Sequence, residues 1–264
     1  MQKIIAIANQ KGGVGKTTTC VNLSSYLALM GQKVLVIDID PQGNCTSGFG
    51  VNKTKIKYST YHVLMGEVDI RTAIIPSVVK NLDILPSNID LAGAEVELVS
   101  VEDREKVLKK ALLPVLNAYD FIIIDCPPSL ALLTVNAITA SKSILIPIQG
   151  EYYALEGLSQ LMNTIKLAKK HLNPSLEVEG VVLTMYDSRS RLVQNVTEEI
   201  YKFFGKKVFE CNSHIFIRKM AKIRCFDLAY YLNTSIVKIV KKTCHLQTWS
   251  VDLVVAYKDI IHIL

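Results

Sequence analysis

Short apolar runs alternate with stretches of helical periodicity along the first 209 residues. The runs are KIIAIAN (3–9), KVLVIDID (33–40), LDILP (82–86), DFIIIDCPP (120–128), SILIPIQ (143–149) and EGVVLTMYD (179–187). Apolar residues at helical spacing follow the first run until Gly31, and they predict further helices at about 103–117, 130–140, 154–171 and 190–204. Residues 41–60, rich in Gly, Asn, Thr and Lys, are expected to form a long loop. Near-continuous apolar strands between helices predict an α/β fold, with a mostly parallel sheet covered by helices on both faces.

The composition is typical of a folded chain with a sizeable core. Half of the 264 residues are hydrophobic and 20% are charged, which argues against global disorder. The six cysteines are scattered without a C-x-x-C pair, which argues against a zinc ribbon and a disulfide framework. A reduced cytoplasm is therefore expected, and no membrane span is expected because no run of about 18 apolar residues occurs. The net charge of +6 permits nucleic-acid binding but does not require it.

The end of the chain has a different composition. Residues 210–264 contain none of the 13 glycines and none of the 8 prolines, and they hold 8 Lys/Arg against 4 Asp/Glu. The regular strand–turn–helix punctuation stops at about Phe209. We therefore expect one domain over residues 1–209, followed by an atypical segment over residues 210–264.

The stretch NQKGGVGKTT (9–18) lies between the first predicted strand and the first predicted helix. Its last part, Gly15, Lys16 and Thr17, matches the end of the phosphate-binding loop pattern. Gln10 stands where the common pattern has its first glycine, and Lys11 is an additional lysine. Lys16 is expected to neutralise β and γ phosphates, and the Thr17 hydroxyl to bind Mg²⁺. Backbone N–H groups approach phosphate oxygens most closely at glycines, here Gly12, Gly13 and Gly15.

Carboxylates follow two of the predicted strands. Asp38 and Asp40 lie in DIDPQGN (38–44), and Asp125 ends the run FIIID. Ligands of open parallel sheets bind beyond the carboxyl ends of the strands, so these side chains are expected near the phosphates. Either Asp38 or Asp40 is a candidate for holding the water shell of the magnesium or for positioning the attacking water. Cys126 is interpreted as a packing residue.

These motifs together resemble a known family, the deviant Walker A ATPases, and within it the ParA/Soj chromosome- and plasmid-partition proteins. The matching stretches are KGGVGKTT (11–18), DIDPQGN (38–44), IIIDCPPSL (122–130) and EYYALEGLSQL (151–161). The resemblance covers about residues 1–209. It implies a phosphate-loop NTPase fold and an ATPase that uses ATP and Mg²⁺ and switches between monomer and homodimer.

The resemblance also implies a role for each matching residue. Lys11 is the family's additional lysine, which reaches phosphates bound by the other subunit. The phosphate cradle comprises Lys11, Gly12, Gly13, Val14, Gly15, Lys16, Thr17 and Thr18. Asp40 orients the hydrolytic water, so Lys11, Lys16 and Asp40 form the catalytic set. The metal set is Thr17, Asp40 and Asp125, and Asp125 acts through the water shell of the metal.

In this family the ATP-bound dimer binds DNA without sequence specificity. Arg189 matches an arginine with that role, and Arg191 is its neighbour. The resemblance further implies slow hydrolysis stimulated by a ParB-like centromere-binding partner, and a cytoplasmic, nucleoid-associated location.

The resemblance ends near residue 209. The usual continuation, a segment like IPRNVRLSEAPS, has no counterpart, which leaves either a divergent end or a reading-frame shift near codon 210. Two alternative functions stay open: a MinD-like division-site ATPase that cycles on a membrane, and a nonenzymatic remnant that binds DNA or partner proteins.

Overall fold

The computed structural model describes residues 2–151 and 154–210, which form one sheet with helices packed against it. The strands are β1 (Lys3–Ile7), β2 (Val34–Asp38), β3 (Ile75–Pro76), β4 (Leu82–Leu85), β5 (Phe121–Asp125), β6 (Ser143–Gln149), β7 (Glu177–Thr184) and β8 (Val208–Glu210). The helices are α1 (Lys16–Leu29), α2 (Asn44–Gly48), α3 (Thr60–Leu64), α4 (Ile70–Ala73), α5 (Leu91–Glu97), α6 (Val107–Leu112), α7 (Leu132–Ala140), α8 (Ala154–His171) and α9 (Arg191–Phe204).

The sheet has eight strands in the order β3-β4-β2-β5-β1-β6-β7-β8. Every neighbouring pair is parallel except β3 with β4. The chain moves from β1 to one side of the sheet and later returns to the other side at β6, so the strand order reverses at β1. A crevice forms at such a reversal, beyond the carboxyl ends of the strands, and the loop after β1 opens into it.

Alternate residues of the central strands enter two separate cores. Ile4 and Ala6 of β1 belong to the core beneath α5 to α9, whereas Ile5 and Ile7 belong to the core beneath α1. Successive side chains of a strand point to opposite faces, so a continuous apolar run supplies both cores. The predicted α/β fold, mostly parallel and covered on both faces, is confirmed.

The predicted strands agree with the structure, but two predictions between them were wrong. Residues 41–60 are not one long loop, because they contain α2, a 3₁₀ turn at Lys53–Lys55 and the first residue of α3. The helix expected at about 103–117 is divided into α6 and two 3₁₀ turns, at Arg104–Lys106 and Leu113–Ala118. Pro114 lies in the second turn and lacks the N–H that an α-helix would need there.

The sequence analysis did not predict β3, α4, α5 or β8. These elements are short, between two and seven residues, and offer too few positions for a periodicity to emerge. Of the segment 210–264, only the backbone of Glu210, at the end of β8, belongs to the described part; the rest lies outside it. Within the described ranges no helix has the length and apolar character needed to cross a membrane.

The pairing of β7 with β8 depends on a glycine. A Cβ atom placed on Gly180 would lie 2.6 Å from the Lys207 carbonyl oxygen and would overlap the Phe209 ring. We expect Gly180→Ala to lower the free energy of unfolding by about 1–3 kcal/mol, because a packed contact must move. Urea unfolding measures this change.

The matched control is Gly157→Ala in α8, where a Cβ atom meets nothing within 4 Å. Alanine is favoured over glycine in a helix by up to about 1 kcal/mol, so this variant should be at least as stable as the unmodified chain. If Gly180→Ala unfolds at the same urea concentration as the control, the β7–β8 packing described above is incorrect.

Candidate functional site

The loop of residues 11–18 has the backbone of an anion-binding turn. Gly13 has φ 76°, and Gly15, the N-cap of α1, has φ 85°, which residues with a Cβ rarely adopt. This path leads directly into the N-terminus of α1, where backbone N–H groups and the helix dipole favour an anion. Gly12 and Gly13 are exposed, Gly15, Thr17 and Thr18 are partly exposed, and Val14 is buried beneath the loop.

Two neighbouring strands hold the loop in place. The Asn9 side chain accepts a hydrogen bond from the Lys11 N–H at 3.0 Å and donates one to the Pro147 carbonyl at 2.6 Å, at β6. On the β7 side, the Thr184 hydroxyl donates to the Val14 carbonyl at 2.9 Å. The loop is therefore anchored to the sheet before any ligand binds, which reduces the conformational entropy that binding would cost.

Lys16 lies inside the loop rather than in solvent. It is 7% exposed, and its ammonium donates to the Lys11 carbonyl oxygen at 2.9 Å. Burial lowers the pKa of Lys16, and the negative charge of Asp125 opposes this shift. The loop thus carries a cation that is directed inward and only partly neutralised.

Asp125 and Thr17 meet beside this lysine. The Thr17 hydroxyl donates to Asp125 Oδ2 at 2.8 Å, while Asp125 Oδ1 is buried and has no hydrogen-bond partner in the described structure. Burial raises the pKa of Asp125 well above its ordinary value, and the charge of Asp38 raises it further. A fully buried carboxylate oxygen without a partner is costly unless a cation satisfies it.

Asp38 and Asp40, which the sequence left as alternatives, have different environments. Both Asp38 oxygens are used inside the protein: Oδ2 accepts from the Thr46 N–H at 2.8 Å and the Thr46 hydroxyl at 2.7 Å, and Oδ1 from the Asp40 N–H at 3.2 Å. Asp40 Oδ1 accepts from the Gln42 N–H at 2.9 Å, and Oδ2 has no hydrogen-bond partner among the described residues. Asp38 therefore anchors α2, and Asp40 retains a carboxylate oxygen for another role.

Burial also affects the pKa of Asp38. Burial raises the pKa of Asp38 from 3.8 to about 6, and the charge of Asp40 adds to the shift while the Thr46 hydrogen bonds oppose it. Asp38 lies opposite Asp125 in the β2–β5 pairing, so two acidic groups face each other at the ends of adjacent strands. Their mutual repulsion makes this edge of the sheet receptive to cations.

Lys11 has a different position from Lys16. Its side chain is 32% exposed and forms an ion pair with Glu151, which is 46% exposed and follows β6. The two lysines of the loop therefore differ, since one ammonium is directed inward and the other lies at the mouth of the loop. Because both side chains are partly exposed to water, this ion pair contributes little to stability and can exchange for a stronger anionic partner.

Arg189 lies in the turn between β7 and α9, and Arg191 lies at the start of α9, so both follow the carboxyl end of β7. Arg189 is 83% exposed and forms a two-pronged ion pair with Asp187, with nitrogen–oxygen distances of 3.0 Å. Arg191 is exposed and is the first residue of α9. Neither arginine contacts the residues of the loop in the described structure.

The donor set fits a magnesium–phosphate group. Mg²⁺ prefers hard oxygen ligands, keeps several waters and needs only one or two protein groups besides phosphate oxygens. The Thr17 hydroxyl and the unpartnered oxygen of Asp125 supply such groups, next to Lys16 and the N-terminus of α1. Cys126 has a pKa raised well above its ordinary value by burial, which agrees with its interpretation as a packing residue.

Sequence reasoning missed residues that support the site from outside the motifs. Ser87 donates from its hydroxyl to the Asp40 carbonyl at 2.8 Å, and its N–H donates to the Thr46 hydroxyl at 2.9 Å. Thr46, Ser87 and Thr184 are single hydroxyl residues, and their spacing in sequence carries no signal. Glu151 did carry a sequence signal, since it begins the stretch EYYALEGLSQL. Its contact with Lys11 could not be predicted, because that contact depends on the order of the strands in the sheet.

The chain is similar to known proteins. A family model described as "AAA domain" matches residues 2–178. The chain is 57% identical over 210 residues to the sporulation initiation inhibitor protein Soj of Bacillus subtilis, covering 80% of this chain and 83% of that protein. It is 51% identical over 208 residues to the chromosome partitioning protein ParA of Myxococcus xanthus, covering 79% and 74%.

A solved structure shares the fold. The cobyrinic acid a,c-diamide synthase of Mycobacterium smegmatis, with bound ADP and magnesium, aligns with a TM-score of 0.74 and 39% identity. The alignment covers 78% of this chain and 83% of that one.

The proximity of Asp38 and Asp40 leads to a prediction about the pKa of Asp38. We expect the Asp38 carboxyl to titrate near pH 6, and Asp40→Asn to lower that midpoint because it removes a repelling charge. Because the folded pKa is raised above the ordinary 3.8, Asp38 contributes less to stability as the pH rises through this window. Carbon NMR of labelled aspartate measures the midpoint.

Asp83→Asn is the control. Asp83 accepts a hydrogen bond from the Tyr119 hydroxyl at 2.8 Å and is absent from the causes of the Asp38 shift, so this variant should leave the midpoint unchanged. A midpoint near the ordinary value of 3.8 in the unmodified chain, or one unaffected by Asp40→Asn, would contradict the described electrostatics.

Proposed function

Since the chain belongs to the ParA/Soj family of partition ATPases, we propose that it is an ATPase that segregates replicated chromosomes or plasmids. ATP binding drives formation of a homodimer, the dimer binds DNA without sequence specificity, and slow hydrolysis releases it. One observation carries this proposal: the loop holds two lysines in separate positions, with Lys16 buried in the loop and Lys11 at its mouth.

The substrate is ATP with Mg²⁺, bound at residues 11–18. Lys16 and the N–H groups at the start of α1 bind phosphate oxygens, while Thr17 and Asp125 hold the metal. Mg²⁺ supplies charge neutralisation on the phosphates. The ADP and magnesium present in the M. smegmatis synthase support this assignment, because that protein shares the fold and 39% identity. Thr18, the second residue of α1, supports the cradle.

Asp40 orients the water that attacks the terminal phosphate. Its oxygen Oδ2 lacks a hydrogen-bond partner in the described structure. Asp40 accepts hydrogen bonds from the Ser87 hydroxyl and from the Gln42 N–H, which fix the rest of the residue. Asp38, whose oxygens are both occupied, is less suited to this role. A carboxylate held beside the phosphates positions a water without needing to move.

Lys11 acts across the dimer. In one subunit its ammonium is paired with Glu151, and the exposure of both groups supports an exchange in which Lys11 leaves Glu151 for phosphates held by the other subunit. A cation supplied in this way stabilises negative charge on the transferred phosphate, as an arginine finger does. Dimerisation then depends on bound ATP, because the phosphates provide the anion that Lys11 needs.

The dimer binds DNA through exposed basic residues, with Arg189 and Arg191 as the first candidates. Arg189 must exchange Asp187 for a phosphate, which is a small cost for an ion pair that is 83% exposed at the arginine. Binding through phosphate contacts weakens steeply with salt. We place the protein in the cytoplasm, on the nucleoid, with a ParB-like protein as the partner that stimulates hydrolysis.

The ATPase domain is proposed to comprise residues 1–209, followed by the atypical segment 210–264. The matches to Soj and ParA extend over 210 and 208 residues, which supports this division.

Separate substitutions of Lys16 and Lys11 should distinguish ATP binding from dimerisation. Lys16→Ala should abolish ATP binding, because no other buried cation of the described site reaches the phosphates. Lys11→Ala should retain ATP binding but remain monomeric and fail to bind DNA. Nucleotide binding by fluorescence, mass by sedimentation, and DNA binding at two salt concentrations provide the three readouts.

Lys166→Ala in α8 is the matched control, since this exposed lysine lies outside the loop and should change none of the readouts. Arg189→Ala should dimerise with ATP and bind DNA more weakly, with a shallower salt dependence. ATP-dependent dimerisation of Lys11→Ala at the unmodified affinity would refute the proposed role of Lys11. Absence of ATP binding by the unmodified chain would refute the proposed function itself.

A further inference from the structure

The outer face of α5 is apolar and exposed. Ile89, Val96 and Val99 are 67%, 76% and 57% exposed, and Ala92 lies exposed between them. Their spacing of three, four and three residues places them in one stripe, which runs from the turn before α5 along the helix to the 3₁₀ turn at Leu98–Ser100. The opposite face of α5 is already used, because Leu91, Ala94 and Leu98 are buried in the core. The four residues Ile89, Ala92, Val96 and Val99 are called the α5 stripe.

Negative charge surrounds the α5 stripe. Residues 81–103 contain six acidic residues and no lysine or arginine, although the whole chain carries a net charge of +6. No ion pair within the described ranges involves Asp90, Glu95 or Glu102. Asp103, the last of the six, is paired with Lys106 and Lys110, and Arg104 donates to the Val99 carbonyl at 2.7 Å and pairs with Glu105. The negative charge beside the α5 stripe is therefore that of Asp90, Glu95 and Glu102.

The α5 stripe is connected to the catalytic carboxylate. Ser87, two residues before Ile89, donates its hydroxyl to the Asp40 carbonyl at 2.8 Å. The Ser87 N–H donates to the Thr46 hydroxyl at 2.9 Å, and that hydroxyl donates to Asp38 at 2.7 Å. Ser87 thus joins the segment that precedes α5 to the backbone that carries Asp40.

We propose that the α5 stripe is the docking surface for a cationic amphipathic segment of the partner protein that stimulates hydrolysis. The apolar side of that segment covers Val96 and Val99, and its lysines or arginines pair with Glu95 and Glu102. Docking shifts Ser87 and thereby completes the alignment of Asp40 with the water. This inference rests on the proposed ATPase function and specifies where its partner binds.

Charge argues against two other occupants. A second copy of the chain meeting this surface with its own α5 stripe would bring unpaired carboxylates together, which is unfavourable. An anionic lipid surface would be repelled for the same reason. A cationic segment gains from the same carboxylates that these occupants would oppose. Exposed apolar stripes with a charged border are common at protein–protein interfaces.

The test uses Val96→Lys in the full chain, with a purified ParB-like protein from the same genome as the probe. The substitution removes apolar surface and adds a repelling cation, so the affinity for the probe should fall by about tenfold or more. ATP turnover without the probe should stay unchanged, whereas the stimulation by a subsaturating probe should fall toward the basal rate. Val78→Lys is the matched control, because Val78 is 61% exposed on another part of the surface.

Charge is tested by a second variant, Glu95→Lys together with Glu102→Lys. It should weaken probe binding most at low salt, because screening removes the difference. Stimulation undiminished in Val96→Lys would overturn the docking surface. So would a loss of ATP-dependent dimerisation in that variant, since the α5 stripe would then serve self-association. Binding of anionic vesicles that is lost in Val96→Lys would likewise overturn it in favour of a membrane.

Ser87→Ala tests the connection to Asp40. This variant should bind the probe with unmodified affinity but respond to it with at least a severalfold smaller increase in turnover. Equal stimulation would overturn the transmission through Ser87. These failures are distinguishable from failure of the proposed function, because in that case the unmodified chain would bind no ATP or show no turnover.

Discussion

Asp38 and Asp125 occupy opposite positions on two adjacent parallel strands, so the end of the sheet holds two buried carboxylates that repel each other. Such a pair is stable only when hydrogen bonds and cations offset the repulsion and the loss of hydration. Thr46 satisfies Asp38, and Thr17 satisfies one oxygen of Asp125. The other oxygen of Asp125 lacks a protein partner, and this deficit makes the site receptive to a metal ion.

The arrangement of the surrounding elements follows from this constraint. Thr46, the third residue of α2, ties that helix to Asp38, while Ser87 joins Asp40 to the segment that leads into α5. Lys16 lies among the carboxylates, and Lys11 lies at the mouth of the loop beside Glu151. Single hydrogen bonds therefore connect Lys16 to the backbone of Lys11, and Asp40 to the segment that leads into α5.

Much of the fold and of the site could be predicted from the sequence, for identifiable reasons. Strands β1, β2, β5 and β6 are buried on both faces, so their apolar runs are continuous, and the glycines before Lys16 mark the loop. The helix α2 could not be predicted, because residues 41–60 have the composition of a loop and the helix depends on Thr46 meeting Asp38. The different hydrogen bonding of Asp38 and Asp40 could not be predicted either, since the sequence does not show which carboxylate oxygens accept hydrogen bonds within the protein.

The ion pair of Lys11 with Glu151 is another contact that could not be predicted from the sequence. These residues are far apart in the chain, and they meet because β6 lies next to β1 in the sheet. The ion pair of Arg189 with Asp187 is a further contact that the motifs did not reveal. The sequence motifs therefore identify candidate site residues, and the order of the strands determines which of these residues are in contact.

The most direct test of this account is the effect of Mg²⁺ on ATP affinity in the unmodified chain and in Asp125→Asn. The unpartnered oxygen of Asp125 should make Mg²⁺ strengthen ATP binding by about tenfold or more in the unmodified chain, or ~1.4 kcal/mol. In Asp125→Asn this dependence should largely disappear, while ATP binding without Mg²⁺ should persist. An unchanged dependence on Mg²⁺ in Asp125→Asn would contradict the claim that the buried carboxylates create the site.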